Sequence, residues 1–359
     1  MNYMATTFNV TVDDAGLTIV GTSGNDVFNS DPAAINTTLS GRDGSDLIKG
    51  ATGSLLRGQG GDDFLEISGT GGGTMRGGTG DDTYNILLSN SGVTGLVIDE
   101  LNDNGSGIDT VVSRINFSLN NPGASGVTIL GNVENLTLSV LSPGTGATFG
   151  EGNALDNTIV GNGENNTLNG LAGNDRIFGS FGNDTIDGGS GDDFLEGNQD
   201  DDIINGGDGN DSIFGDKAGA TYVGNDTLNG QAGNDSLTGG LGADIFGFGG
   251  TGLSTQQNVA NSIGNDIVTD FNSAEGDQIQ LSQVSFTAFA VTGSLTAADI
   301  TFVTTNSGIG SKSTFLVYNT VSGELYYNAN GSATGSGGGG FFATFTGAPA
   351  LSGTDFVVV

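Results

Sequence analysis

The chain has 359 residues, 67 of them glycine, with no cysteine and no histidine; eight basic against 41 acidic side chains leave a net charge of −33. The missing cysteine excludes disulfides and thiol chemistry, and the missing histidine removes HExxH zinc sites and Ser-His-Asp triads. Such acidity argues against nucleic acid and anionic membranes as partners, and no apolar stretch approaches the roughly 20 residues that span a bilayer.

The opening segment MNYMATTFNVTVDDAG lacks a basic n-region and an apolar h-region, so it does not read as a secretory signal peptide. A nine-residue phrase then appears in loose form as GTSGNDVFN, GRDGSDLIK, GQGGDDFLE and GGTGDDTYN, starting at Gly21, Gly41, Gly58 and Gly77. Its sixth position is Asp26, Asp46, Asp63 and Asp82, at separations of 20, 17 and 19 residues. Leu39, Leu56 and Met75 fall at strand-like positions between the phrases, with no turn Asp beside them. Residues 1–85 are therefore expected to form full coils that carry acidic turns on one edge and plain turns on the other. Residues 86–151 (GLVIDE, DTVVSRINFSL, VTILGNVENLTLSV) read as wider rungs of the same solenoid, with an inserted β-sandwich as the alternative.

Residues 152–247 repeat the phrase ten times, from Gly152, Gly161, Gly170, Gly179, Gly188, Gly197, Gly206, Gly215, Gly230 and Gly239. Position eight is apolar in every row, running from Ile159 to Phe246. Glycines at positions one and four suggest positive φ, and the Asn or Asp usual at position five suggests left-handed backbone there too. The closing x-U-x sends one apolar side chain inward, so two rows should make one flattened coil of eighteen residues.

Position six is Asp in eight rows and Asn157 or Asn166 in the first two. Alternation of sides would line Asp175, Asp193, Asp211 and Asp235 along one edge, and Asp184, Asp202, Asp226 and Asp244 along the other. Coils stack roughly 4.8 Å apart, so these carboxylates repel unless a hard cation lies between them. Calcium, which takes six to eight oxygens from carboxylates and carbonyls, fits better than magnesium, with its tight octahedron, or zinc, with its need for His or Cys.

The rows resemble the calcium-binding nonapeptide GGxGxDxUx of the repeats-in-toxin (hemolysin-type) family. The resemblance implies an all-β fold, a parallel β-roll or β-helix solenoid with several Ca²⁺ ions in its turns. It also implies that the position-six aspartates and the turn-glycine carbonyls are the ligands. Asn157 and Asn166 keep an oxygen but lose the charge, so the first two rows should bind more weakly.

Residues 248–359 read as a C-terminal β cap and type I secretion segment. GNDIVTDFNSAEGDQIQLS resembles the family's capping phrase, which offers Asp266, Asp270 and Asp277 as further, weaker ligands. LVYNTVSGELYYNANG reads as a hairpin turning at Ser322-Gly323; the family commonly has aspartates where this chain has Asn328 and Asn330, so no ion is placed there. The tail Asp355 to Val359 is either a final strand or an uncleaved export signal, and export through type I machinery is the preferred reading. Outward positions are mostly polar, but Phe178, Phe194 and Phe214 share one sheet and suggest self-association, unless the insertion at Asp216–Ala220 or the C-terminal segment folds over them. The expected protein is secreted or extracellular, with cell-surface association an option. It is not an enzyme, and it serves as a calcium-folded surface-layer, matrix or filament component. An adhesin or accessory module is the alternative, and a polysaccharide-modifying enzyme on a β-helix is the weaker one, because only eight basic residues are scattered along the chain.

Overall fold

The computed structural model describes residues 6–10, 16–68, 71–87, 94–100, 107–120, 127–140, 146–217, 223–249, 263–289, 292–296, 298–307, 309, 312–329 and 340–359. The insertion's residues 218–220 and Asn330 lie outside them. Strands account for nearly every element, and a 3-10 turn lies at Gly353–Asp355. The chain divides into two compact units, Met1–Asn166 and Thr167–Val359. No helix among the described residues is long and apolar enough to cross a membrane.

Unit one is a parallel β-solenoid with two facing columns of apolar side chains. One column stacks Phe28, Ile48, Leu65, Tyr84, Val111, Leu136 and Ile159 in direct register. The other stacks Ile19, Leu39, Leu56, Met75, Ile98 and Ile129. Phe28 through Ile159 in the first column, and Leu39 through Ile98 in the second, are fully shielded from solvent. Parallel pairing continues at Thr94–Asp99, Thr110–Ser113, Val127–Leu130 and Asn135–Leu138, so these described strands stack as further rungs.

Unit two repeats the plan more strictly. Ile177, Leu195, Ile213 and Leu237 stack on one sheet; Leu168, Ile186, Ile204, Leu228 and Phe246 stack on the other. All nine are fully buried. The register advances by the two-row coil read from the sequence, because slipping by one residue would turn each of these side chains out to water. A cap closes both sheets of this unit. Phe341–Phe345 pairs in parallel with Asp266–Val268, and Phe356–Val358 pairs in parallel with Gln278–Leu281. Leu316–Asn319 and Glu324–Tyr327 form an antiparallel hairpin, with Gly323 at φ 75° in its turn. Phe248, Phe286, Tyr327 and Phe342 interlock edge to face at the cap's centre, with centroids 5.0–5.4 Å apart.

The turn chemistry differs from the expectation. Left-handed φ occurs at positions two (Leu171, Ser180, Gly189, Asn198, Gly207, Gln231, Gly240) and four (Gly173, Gly182, Gly191, Asp200, Gly209, Gly233, Gly242), and at neither one nor five. Position one is glycine for space. A Cβ on Gly188 would overlap the Asp193 carboxylate and press on the Gly206 carbonyl of the next coil. Position five serves by side chain: Asn174 Oδ1 accepts from Asp192 N at 2.8 Å, and Asp192 Oδ1 in turn accepts from Asn210 N at 2.8 Å.

Candidate metal centre

Three ladders of buried carboxylates run along the coil edges, one in unit one and two in unit two. In each, the backbone N–H of one acidic residue donates to the side chain of its counterpart one coil on. Asp26, Asp46, Asp63 and Asp82 are linked in this way at 2.7–2.8 Å. In unit two, Asp175, Asp193, Asp211 and Asp235 are linked at 2.7–2.9 Å on one edge. Asp184, Asp202, Asp226 and Asp244 are linked at 2.7–2.9 Å on the other. Every one of these aspartates is at most 3% exposed.

The ladders are longer than the sequence reading allowed. Asp82 N donates to Asp109 Oδ1 and Asp109 N to Glu134 Oε2, both at 2.8 Å. The signal was an acid two places before a buried apolar residue (Asp109-Thr110-Val111, Glu134-Asn135-Leu136); Asp109 has Gly107 at position four as the repeat does, and Glu134 has Asn132 there. Asp266 and Asp277 extend the two ladders of unit two, accepting from Asp235 N at 3.1 Å and Asp244 N at 3.0 Å. Asp270 stands apart from both, holding the amides of Gly239 and Gly240 at 3.0 and 2.9 Å.

One oxygen of each ladder carboxylate after the first is thus spent on an amide. The other, Oδ2, is buried without a hydrogen-bond partner in Asp46, Asp63, Asp202, Asp211, Asp226 and Asp235. Burial without a partner makes ionisation costly. It pushes Asp63, Asp202 and Asp226 up to about 8, and Asp211 and Asp244 to about 7. Neighbouring carboxylates add to the rise, and the backbone amides only partly offset it. Glycine at position one brings a carbonyl to the same place: the cradle beside Gly188 is walled by Asp193 and the Gly206 carbonyl, and that beside Gly206 by Asp211 and the Gly230 carbonyl. No three acidic side chains converge into a ready cage among the described residues, so the donor set is a carboxylate pair completed by carbonyls. That all-oxygen, anionic set suits calcium.

Two turns in unit one supply an internal contrast. Asn157 and Asn166 take position six, and their amide nitrogens donate to the Glu134 carbonyl at 2.7 Å and the Ala147 carbonyl at 3.1 Å. There an N–H group holds the carbonyl that a cation would otherwise neutralise. Asn328 follows the same logic in the cap, donating to the carbonyls of Lys312 at 3.0 Å and Thr314 at 3.3 Å.

The family model of the RTX calcium-binding nonapeptide repeat (4 copies) matches residues 151–186, 187–217 and 222–250. These segments are RTX repeats. They are calcium-binding, and their number implies several ions. No curated protein matches the chain. The protein is therefore a calcium-binding β-solenoid, and bound calcium would supply the positive charge that the stacked carboxylates lack.

Proposed function

We propose that this is a secreted, non-catalytic protein whose carboxylate ladders hold calcium and fold the chain outside the cell, where it acts as a surface-layer, matrix or filament component. The observation that carries this reading is the set of buried Oδ2 atoms without partners, repeated coil after coil. Extracellular calcium modules bind at roughly 10⁻⁴–10⁻³ M, so such sites fill outside a cell and stay largely empty in a cytosol poor in calcium. The ligands are Asp26, Asp46, Asp63 and Asp82 in unit one, and the eight Asp175-to-Asp244 ladder residues in unit two. Asp266 and Asp277 extend the set.

The basic residues favour a structural role over catalysis. Arg76 pairs with Asp99 at 2.6 Å, Lys49 lies 3.6 Å from Glu66, and the Arg176 guanidinium sits 4.4 Å from the Phe194 ring centroid. The same Phe194 lies 5.8 Å from Phe178 and 5.4 Å from Phe214, centroid to centroid, in an outward stripe through which copies associate.

Export is assigned to the segment ending Asp355–Val359, threaded unfolded through type I machinery. In the folded protein this tail is a strand, with Phe356 and Val358 at 0% and 1% exposure. Deleting it therefore damages the cap as well as any export address. A clean test compares that deletion with Phe356→Ser, which weakens the cap but keeps the tail, by fractionating cells grown with calcium or chelator. Export lost in the deletion alone supports the assignment; equal export, or equal loss in both, removes it.

A further inference from the structure

Row eight of the repeat departs from its neighbours at position two. In the coils around it, that residue is left-handed and its carbonyl accepts from the position-three amide of the next coil on the same edge. Ser190 N donates to the Leu171 carbonyl at 2.9 Å, and Gln199 N to the Ser180 carbonyl at 3.3 Å. Asp216 does neither. Its φ is not positive. Its side chain takes over the carbonyl's bond, with Oδ2 accepting from Leu241 N at 3.0 Å.

The other oxygen is left over. Asp216 is 4% exposed and its Oδ1 has no hydrogen-bond partner of normal geometry, while the Gly224 amide steadies the carboxylate's charge. Gly224 in turn packs on the next ladder member, since a Cβ placed there would stand 2.8 Å from both Asp226 carboxylate oxygens. The Asp216 charge is felt by Asp226 and by Asp244 one coil on. Buried, unpaired and adjacent to a ladder pair, this oxygen has the character of the orphaned Oδ2 atoms, but it comes from a position the repeat does not use for acids.

We infer that Asp216 is an additional calcium ligand of the Asp226–Asp244 site, a carboxylate oxygen supplied from position two of its row. This rests on the reading of the ladders as calcium sites. It makes this site different from its neighbours, because calcium affinity rises with the number of charged ligands. The Asp226–Asp244 site is then the tightest of the edge and the first to fill.

The test is a calcium titration of the full chain followed by calorimetry, with terbium luminescence as a second readout. Asp216→Asn keeps an acceptor for Leu241 N and removes the charge. The tightest class of sites in the parent should weaken roughly tenfold, with the other classes unmoved. Asp226→Asn should weaken the same class, and the double variant should be little worse than Asp226→Asn alone if both serve one ion. Asp208→Asn, an exposed charge outside the ladders, controls for net charge. A parental chain that takes up no calcium would overturn the ladder reading itself. Normal parental binding with Asp216→Asn superimposed on it, or fully additive losses in the double variant, would overturn the role of Asp216 alone. Should Asp216→Asn not fold in saturating calcium, Asp216→Glu restores the charge and should restore folding at low calcium; failure of that rescue would also overturn it.

Discussion

A missing methyl group decides what the position-one glycine does. Gly188 has ordinary φ, yet a Cβ there would collide with the Asp193 carboxylate and the Gly206 carbonyl. Gly188→Ala should therefore close one cradle, lowering calcium stoichiometry by one site and raising the calcium needed to fold. A site at ten times its Kd adds about 1.4 kcal/mol, so the loss is measurable by circular dichroism across a calcium series. An unchanged titration would mean that the neighbouring carbonyl simply moves aside. At this scale the sequence was informative about side-chain chemistry and poor about backbone. Asp at position six announced a ladder because only stacked acids need explaining. Which glycines carry positive φ was unreadable, since glycine is allowed everywhere. The structure keeps that role at position four, as expected, and moves it from position one to position two, where Leu171, Ser180 and Asn198 bear the steric cost themselves.

Strands and their stacking were the most legible level, because a three-residue x-U-x with a shielded centre leaves one register open. Leu39, Leu56 and Met75 were placed correctly from spacing alone, and their rungs pair as expected. Asp109 was readable, since Gly107 stands two places before it and only Asn104 departs from the row's first glycine; Glu134 was not, because Asn132 takes position four and the acid itself is Glu. The Phe178, Phe194 and Phe214 stripe belongs to this scale. Its rings are half-buried and tilted on one another at 37–48°, with Arg176 laid across two of them. The Phe alternates between positions nine and seven from rung to rung while the register pairs like positions, so Arg176 faces Phe194 and Phe178 faces Glu196. Changing Phe178 and Phe214 to Ser should abolish self-association in sedimentation experiments and leave calcium-induced β structure unchanged, if copies meet through the stripe. Weakened folding of the monomer with association intact would make the rings part of the sheet's own packing.

For the whole molecule, proton and calcium should compete for the same oxygens with opposite consequences for stability. Asp63, Asp202 and Asp226 hold their protons up to about 8, and Asp211 and Asp244 to about 7, against 3.8 for the ordinary side chain. The folded state thus binds more protons than the unfolded one across this window, and stability without metal falls as pH rises through it. Below about 4 both states are protonated and the contribution is fully present; above about 8 it is gone. In chelator the chain should melt at a higher temperature at pH 5 than at pH 7.5, and at pH 7.5 it should be largely unfolded, because a net charge of −33 then opposes a core only one side chain deep on each sheet. In millimolar calcium the order should reverse, since ionised oxygens become ligands and binding expels their protons. Calorimetry in buffers of different ionisation enthalpy would count those protons. The same pH order with and without calcium would show that the ladders are held by shared protons and not by metal. A cooperative β-rich fold in chelator at pH 7.5 would remove the link between calcium outside the cell and folding there.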